Sequence, residues 1–194
     1  LKGREHYQRH TLDNYKKAVS FLKKSIELDP NYSRAHSMLA LTYFWIGESS
    51  FLVESGAVTS YLRIRPHLKM AMKAPDSTAH SVASSLNVRR FHHEDAIEEA
   101  KRAIAIEPNN IYGHHAMAWS LIVAGRPEEA IYFANRALRL DPFFPGIALY
   151  YLGFAHLCSG HYKEAVDFLE KALSYKEKMF RSKLLLAAAY GQLD

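Results

Sequence analysis

Cysteine is almost absent from this chain. Cys158 stands alone among 194 residues, so no internal disulfide can staple the fold and a reducing, cytoplasmic setting is expected. No apolar run approaches the ~20 residues of a membrane-crossing helix, and no secretory apolar segment lies near Leu1. The nine glycines are scattered, and none builds a phosphate loop ending in Lys-Ser/Thr or a paired-glycine dinucleotide turn. A nucleophile elbow and a zinc-protease helix motif are missing as well. These gaps argue against an enzyme, against any cofactor and against a membrane protein.

Charge of either sign is modest. The net charge of +5 raises the question of nucleic acid, but the surplus sits in the first 76 residues, with 12 Lys/Arg against 7 Asp/Glu, and disappears beyond them. Lys16, Lys17, Lys23 and Lys24 have the spacing of a solvated helix exterior. No nucleic-acid partner is expected. What the chain has in quantity is apolar surface, 48% of its residues, enough for a continuous core without metal or disulfide support.

That apolar content is periodic. Ala96, Ala103 and Pro108 return 34 residues later as Ala130, Ala137 and Pro142, and Ala165 and Ala172 extend the first two columns. A period of this length marks stacked helical hairpins, none of which can bury its apolar face alone. In the second unit an amphipathic stretch from Tyr112 to Ala124 is stopped by Gly125. Pro127 then opens the next helix with Glu128 and Glu129 in its first turn, and Asp141-Pro142 ends it. The third unit repeats this grammar with Leu152-Gly153 inside its first helix and Gly160 as the breaker.

The pattern resembles the tetratricopeptide repeat family, whose units carry an aromatic at position 4, Leu-Gly at 7 and 8, an aromatic at 11, Gly at 15, Ala at 20 and 27 and Pro at 32. The resemblance implies an all-α, right-handed solenoid of about five helical hairpins, with the last one truncated. Repeats are expected at about residues 1–32, 33–76, 77–110, 111–144 and 146–179, followed by a half repeat at 180–194. The second unit is too long for the period, which places an insertion near residues 48–58, after Gly47. Pro66 is expected either to start its second helix late or to kink it. The half repeat has no second helix, so the chain is expected to be a fragment of a longer protein. The opening Leu1-Lys-Gly-Arg4, the phrase Asn31-Tyr32-Ser33-Arg34-Ala35-His36 and the stretch Ala148 to Gly153 resemble the tetratricopeptide regions that follow bacterial class III nucleotide cyclase domains and those of winged-helix regulators.

Eleven histidines invite a metal reading. His36, His80 and His114 all occupy position 4 of their units, where a ring packs on the neighbouring helix. His92-His93 and His114-His115 are adjacent pairs whose side chains diverge by about 100° on a helix. His6 and His10 have an i, i+4 spacing but no evident third ligand. No metal site is expected, and Cys158 is expected to be a plain buried thiol.

Function is then expected in the groove that the family lines with first-helix positions 2, 5, 9, 12 and 13. Those columns select Arg34, Leu41, Phe44, Trp45, Arg89, Tyr112, His115, Trp119, Tyr150 and Phe154 as a partner-binding lining. Such a lining is aromatic and apolar, and it lacks the Lys, Asn and Arg set with which some family members hold the acidic ends of heat-shock chaperones. It suits a protein or peptide partner, including another domain of the same protein, bound as an amphipathic helix or extended apolar segment. In an alternative, the same aromatics fill the space between helices and the module self-assembles end to end through Leu184, Leu185 and Tyr190, giving a homo-oligomer.

Overall fold

A computed structural model describes residues 2–7, 11–49, 54–143, 145–175 and 180–193, apart from the side chains of residues 4–6, 49 and 54–58. Among the described residues there are eleven α-helices and no strand: α1 (Lys2–Tyr7), α2 (Leu12–Leu28), α3 (Ser33–Ser49), α4 (Glu54–Ala71), α5 (Ser77–Arg89), α6 (His93–Ile106), α7 (Ile111–Val123), α8 (Pro127–Leu140), α9 (Gly146–Cys158), α10 (Tyr162–Tyr175) and α11 (Phe180–Tyr190). The fold is an all-α solenoid of helical hairpins. Its contacts divide into two units, residues 1–83 and 84–194, with the boundary inside α5.

In the first unit α1 packs on α2, α2 on α3 and α3 on α4. The α1–α2 contact is made by Tyr7 and Tyr15, both fully buried with ring centroids 5.5 Å apart. Thr11 caps α2 by accepting the Asn14 amide at 3.3 Å. Asp76 has two tasks at the start of α5: one carboxylate oxygen accepts the Ala79 amide at 2.8 Å and the other accepts the Ser37 hydroxyl of α3 at 2.9 Å. The last turn of α4 is tied down by the Ser33 hydroxyl, which lies 2.8 Å from the Ala71 carbonyl and 2.7 Å from that of Ala74.

One expectation for this unit changes and another narrows. Gly47 does not stop a helix; α3 continues through it to Ser49, and the missing side chain makes room for the Tyr61 ring, which a Cβ would meet at 3.2 Å. Of the two expected roles of Pro66, its place well inside α4 excludes a late helix start and leaves the kink. The expected insertion falls partly on residues 50–53 and on the side chains of residues 54–58, outside the described part, as do His10 and the side chain of His6.

The second unit shows how the repeat packs. Helices α6, α8 and α10 each bury one stripe and leave the opposite face in water: Ala96, Ile97, Ala100 and Ala103; then Ala130, Ala134 and Ala137; then Ala165, Val166, Leu169 and Ala172. The first helices behave differently. Residues 113–122 of α7 are all buried, because α6 covers one flank, α8 the other, and α9 a third. Successive first helices α7, α9 and α11 therefore lie against each other as well as against the second helices. Ser84 of α5 and Ser120 of α7, both fully buried, satisfy each other across 3.0 Å.

Close approach sets the residue sizes. A Cβ on Gly153 of α9 would stand 2.5 Å from Leu169 Cγ and 3.2 Å from the Ala165 carbonyl of α10. The position-4 histidines carry a further duty: His36 Nε2 lies 3.0 Å from the Pro30 carbonyl and His114 Nε2 lies 2.8 Å from that of Pro108. Each ring thus donates to the last turn before its own helix. That bond fixes the Nε2–H tautomer of neutral His36, so its Nδ1 accepts from His67 Nδ1–H at 3.0 Å. Burial is the main reason both His67 and His114 titrate below the ordinary histidine range.

The turns that end α5, α7 and α9 share one geometry. The amides of His92, Arg126 and His161 reach back to the carbonyls of Asn87, Leu121 and His156 at 3.0, 2.9 and 2.9 Å. This is the Schellman closure, which needs a left-handed residue just past the helix. Gly125 and Gly160 supply it with φ of 76° and 77°, whereas the first of the three turns uses Phe91 at φ 62°. A side chain there costs about 1 kcal/mol or more, and the Phe91 ring, 81% exposed, recovers little by burial. Cys158 also differs from expectation: as the last residue of α9, just before this turn, it is exposed.

Two measurements check this description. Phe91→Gly should raise stability by about 1 kcal/mol, seen as a higher melting temperature in circular dichroism. Gly153→Ala should lower it by about 1–3 kcal/mol through overpacking against Leu169, with most of the loss recovered when Leu169→Ala is added.

Candidate functional site

The lining expected from the repeat columns falls into three groups. Leu41, Phe44, His115, Trp119 and Tyr150 are buried, at 3–9% exposure. Trp45, Arg89, Tyr112 and Phe154 are half-buried, and Arg34 is exposed. The aromatic columns therefore serve the core and the surface together, and the reachable part is their rim.

In the first unit the Phe44 ring meets Trp45 edge-on at 5.5 Å and Tyr61 at 6.4 Å. The Tyr61 hydroxyl donates to Glu48, which fastens α4 to the end of α3. Arg34, the second residue of α3, is exposed at the opposite end of the same helix from this cluster.

The second unit brings its candidates together more closely. Tyr150 and Phe154, one turn apart on α9, have centroids 6.1 Å apart, and Tyr150 stands 5.2 Å from Tyr151. The Tyr151 ring reaches His115 of α7 at 5.8 Å. The guanidinium of Arg89, at the end of α5, lies over the Trp119 ring at 5.3 Å, a cation–π contact. His115, Tyr151, Tyr150 and Phe154 thus form a row of rings across α7 and α9, and Arg89 and Trp119 form a separate cation–ring pair between α5 and α7.

Two members were not selected from the sequence. Tyr151 is buried beside Tyr150, and burial pushes both phenols above the usual range. Arg181 of α11 lies near enough to Tyr150 to favour its charged form and near enough to Arg89 to repel its charge. Burial first, and then that repulsion, bring the Arg89 guanidinium down to about 10. A signal for Arg181 existed: it occupies position 2 of its unit, the column of Arg34 and Tyr112, carried into the half repeat.

At the expected assembly end, Leu184 and Tyr190 are 55% and 45% exposed and Leu185 is half-buried. The Tyr190 hydroxyl donates to Glu170 of α10 at 2.7 Å, which raises its titration above the ordinary phenol range. Beneath it, Ala189 joins Ala165 and Val166 in the core, with Leu186 packed against them. Among the described residues no three His, Cys, Asp or Glu side chains are grouped to hold a metal ion. None of the described helices is long and apolar enough to cross a membrane.

Comparison with known proteins agrees with the geometry. Tetratricopeptide repeat models match residues 146–178 and residues 9–32. The small glutamine-rich tetratricopeptide repeat-containing protein 2 of Mycosarcoma maydis is 37% identical over 101 residues, covering 51% of this chain and 28% of that protein. The transcriptional regulator HilA of Salmonella typhimurium is 21% identical over 144 residues, covering 73% of this chain and 26% of the regulator. The chain spans about a quarter of the length of these curated relatives. Among solved structures, the thermophilic tetratricopeptide protein TTC0263 of Thermus thermophilus superposes with a TM-score of 0.59 at 20% identity, over 96% of each chain. Such modules serve as scaffolds for protein–protein interaction, and this chain carries tetratricopeptide repeats, matched by that family's models at residues 9–32 and 146–178, on a fold shared with a solved tetratricopeptide protein.

Proposed function

We propose that the chain binds a partner peptide or helix along the aromatic rim of its first helices, as the interaction region of a larger cytoplasmic signalling protein. The observation that carries this reading is the pair of Tyr150 and Phe154 on α9, one ring buried and the next half-buried, with Trp119 of α7 buried under the half-buried Arg89. Rings held this way present area to a partner at small entropic cost, the condition for interface hot spots. Arg34, Leu41, Phe44, Trp45, Tyr112 and His115 belong to the same proposed lining. The match to a protein named as a transcriptional regulator favours a regulator as the parent over a nucleotide cyclase.

A second reading has its own support. On α11 and the turn after it, Leu184 and Leu193 are 55% and 43% exposed beside Tyr190, a surface suited to docking a second copy together with Leu185. Light scattering over a concentration series separates the two. The scaffold reading expects a monomer throughout, whereas self-association abolished by Leu184→Glu supports the assembly reading.

The groove itself is tested by selecting binders to the full chain from a random peptide display library. Apolar, aromatic-rich peptides are expected, and Phe154→Ser should weaken the best of them about tenfold with the melting temperature nearly unchanged. Binding indifferent to Phe154 would move the interface to another face.

A further inference from the structure

Two histidine rings meet between α3 and α4 of the first unit. His36 of α3, buried, and His67 of α4, half-buried, have centroids 5.2 Å apart and Nδ1 atoms 3.0 Å apart. The other nitrogen of His36 is already committed, because Nε2 lies 3.0 Å from the Pro30 carbonyl in the turn before α3. His67 also stacks on Tyr43 of α3 at 5.9 Å, and the Arg63 guanidinium lies over that tyrosine at 5.6 Å. Burial is the largest influence opposing a charge on His67, followed by His36 and then by Lys23 of α2. In the second unit the matching histidine, His114, makes the same bond to Pro108, yet the ring stacked on it is Phe133 of α8 at 6.2 Å. Packing a hairpin therefore does not require a second histidine.

Counting protons shows what this contact tolerates. With both rings neutral, His36 donates from Nε2 and accepts at Nδ1, where His67 donates its Nδ1–H. One proton can be added at His67 Nε2 and that bond survives. A second has only His36 Nδ1 to go to, and two N–H groups then point at each other across 3.0 Å between two positive rings. No choice of tautomer avoids this, since a doubly charged pair carries hydrogen on all four nitrogens. We infer that His36 and His67 form an acid-sensitive latch, which holds α4 on α3 while the pair carries at most one extra proton and releases it when both rings are charged. The closed state lowers the proton affinity of His67, so the stability that closure adds is present above the ordinary histidine value of 6.5 and is lost as pH falls below it. Because α4 also carries Tyr61, packed edge-on to Phe44 at 6.4 Å, release uncovers one side of Phe44. The latch itself does not depend on what the groove binds.

Hydrogen–deuterium exchange of the full chain, corrected for the intrinsic pH dependence of exchange, provides the test. Protection of the α4 amides is expected to fall by about tenfold or more between about pH 7 and about pH 5. His67→Phe, which copies the ring pairing of the second unit, should remove most of that acid-induced loss. His67→Gln should do the same, because its amide N–H can still donate to His36 Nδ1 but never carries a charge. Far-ultraviolet circular dichroism identifies a variant that fails to fold, and His67→Gln alone carries the comparison if His67→Phe does so. Nuclear magnetic resonance of histidine-labelled chain should show the two rings titrating together in two separate steps. An α4 that loses the same protection in the wild type and in either folded variant would overturn the latch. Two independent single-step titrations would overturn it as well, as would zinc bound more tightly than micromolar by both rings, which would make the pair a metal site.

Discussion

How closely two helices can lie decides the rest of this structure. The second helices of the unit at residues 84–194 meet the first helices through alanines that are essentially fully buried, from Ala96 and Ala103 to Ala165 and Ala172. At Gly153 the approach is so close that a single added carbon would collide with Leu169. Small side chains at these points let backbones come together and bring the larger residues around them into contact. Without that approach the hairpins have no shared core, and none is large enough to stand alone.

The same constraint explains why the first helices look unlike the second ones. An outer helix with one covered stripe is amphipathic in the ordinary way. An inner helix such as α7, flanked by α6, α8 and α9, must be apolar or small nearly all round. Two of its buried polar groups find partners, Ser120 in Ser84 of α5 and His114 Nε2 in the Pro108 carbonyl. Aromatics on the inner helices consequently do two jobs. Their bases fill the gaps between helices, and their rims are what a partner can touch. Arg89 lies on this rim, its guanidinium over the Trp119 ring.

The hairpin pattern was legible because its signals are local. Alanine columns, Pro127 at a helix start and glycines at Gly125 and Gly160 each state a backbone requirement that only a few residues satisfy. Phe91 was illegible for the same reason: it adopts a left-handed backbone that its residue type disfavours, and tertiary closure of the turn overrides that preference. Gly47 shows the converse, a glycine in the breaker column used for packing on Tyr61 inside a continuous helix. The site was only partly legible. Residue type does not separate a buried Trp119 from a half-open Trp45, because depth depends on which helix lies across each ring. Arg181 escaped because its column was not followed into the final half repeat, and Cys158 because a helix end offers less cover than its middle.

The central claim is that a partner is held on the row of first helices, with the second helices as support. Hydrogen–deuterium exchange of the full chain, with and without a selected peptide, reads this most directly. The account predicts slower exchange in α7 and α9 and at the ends of α5 and α11 that carry Arg89 and Arg181, with α6, α8 and α10 little changed. Protection confined to α6, α8 and α10 would contradict it.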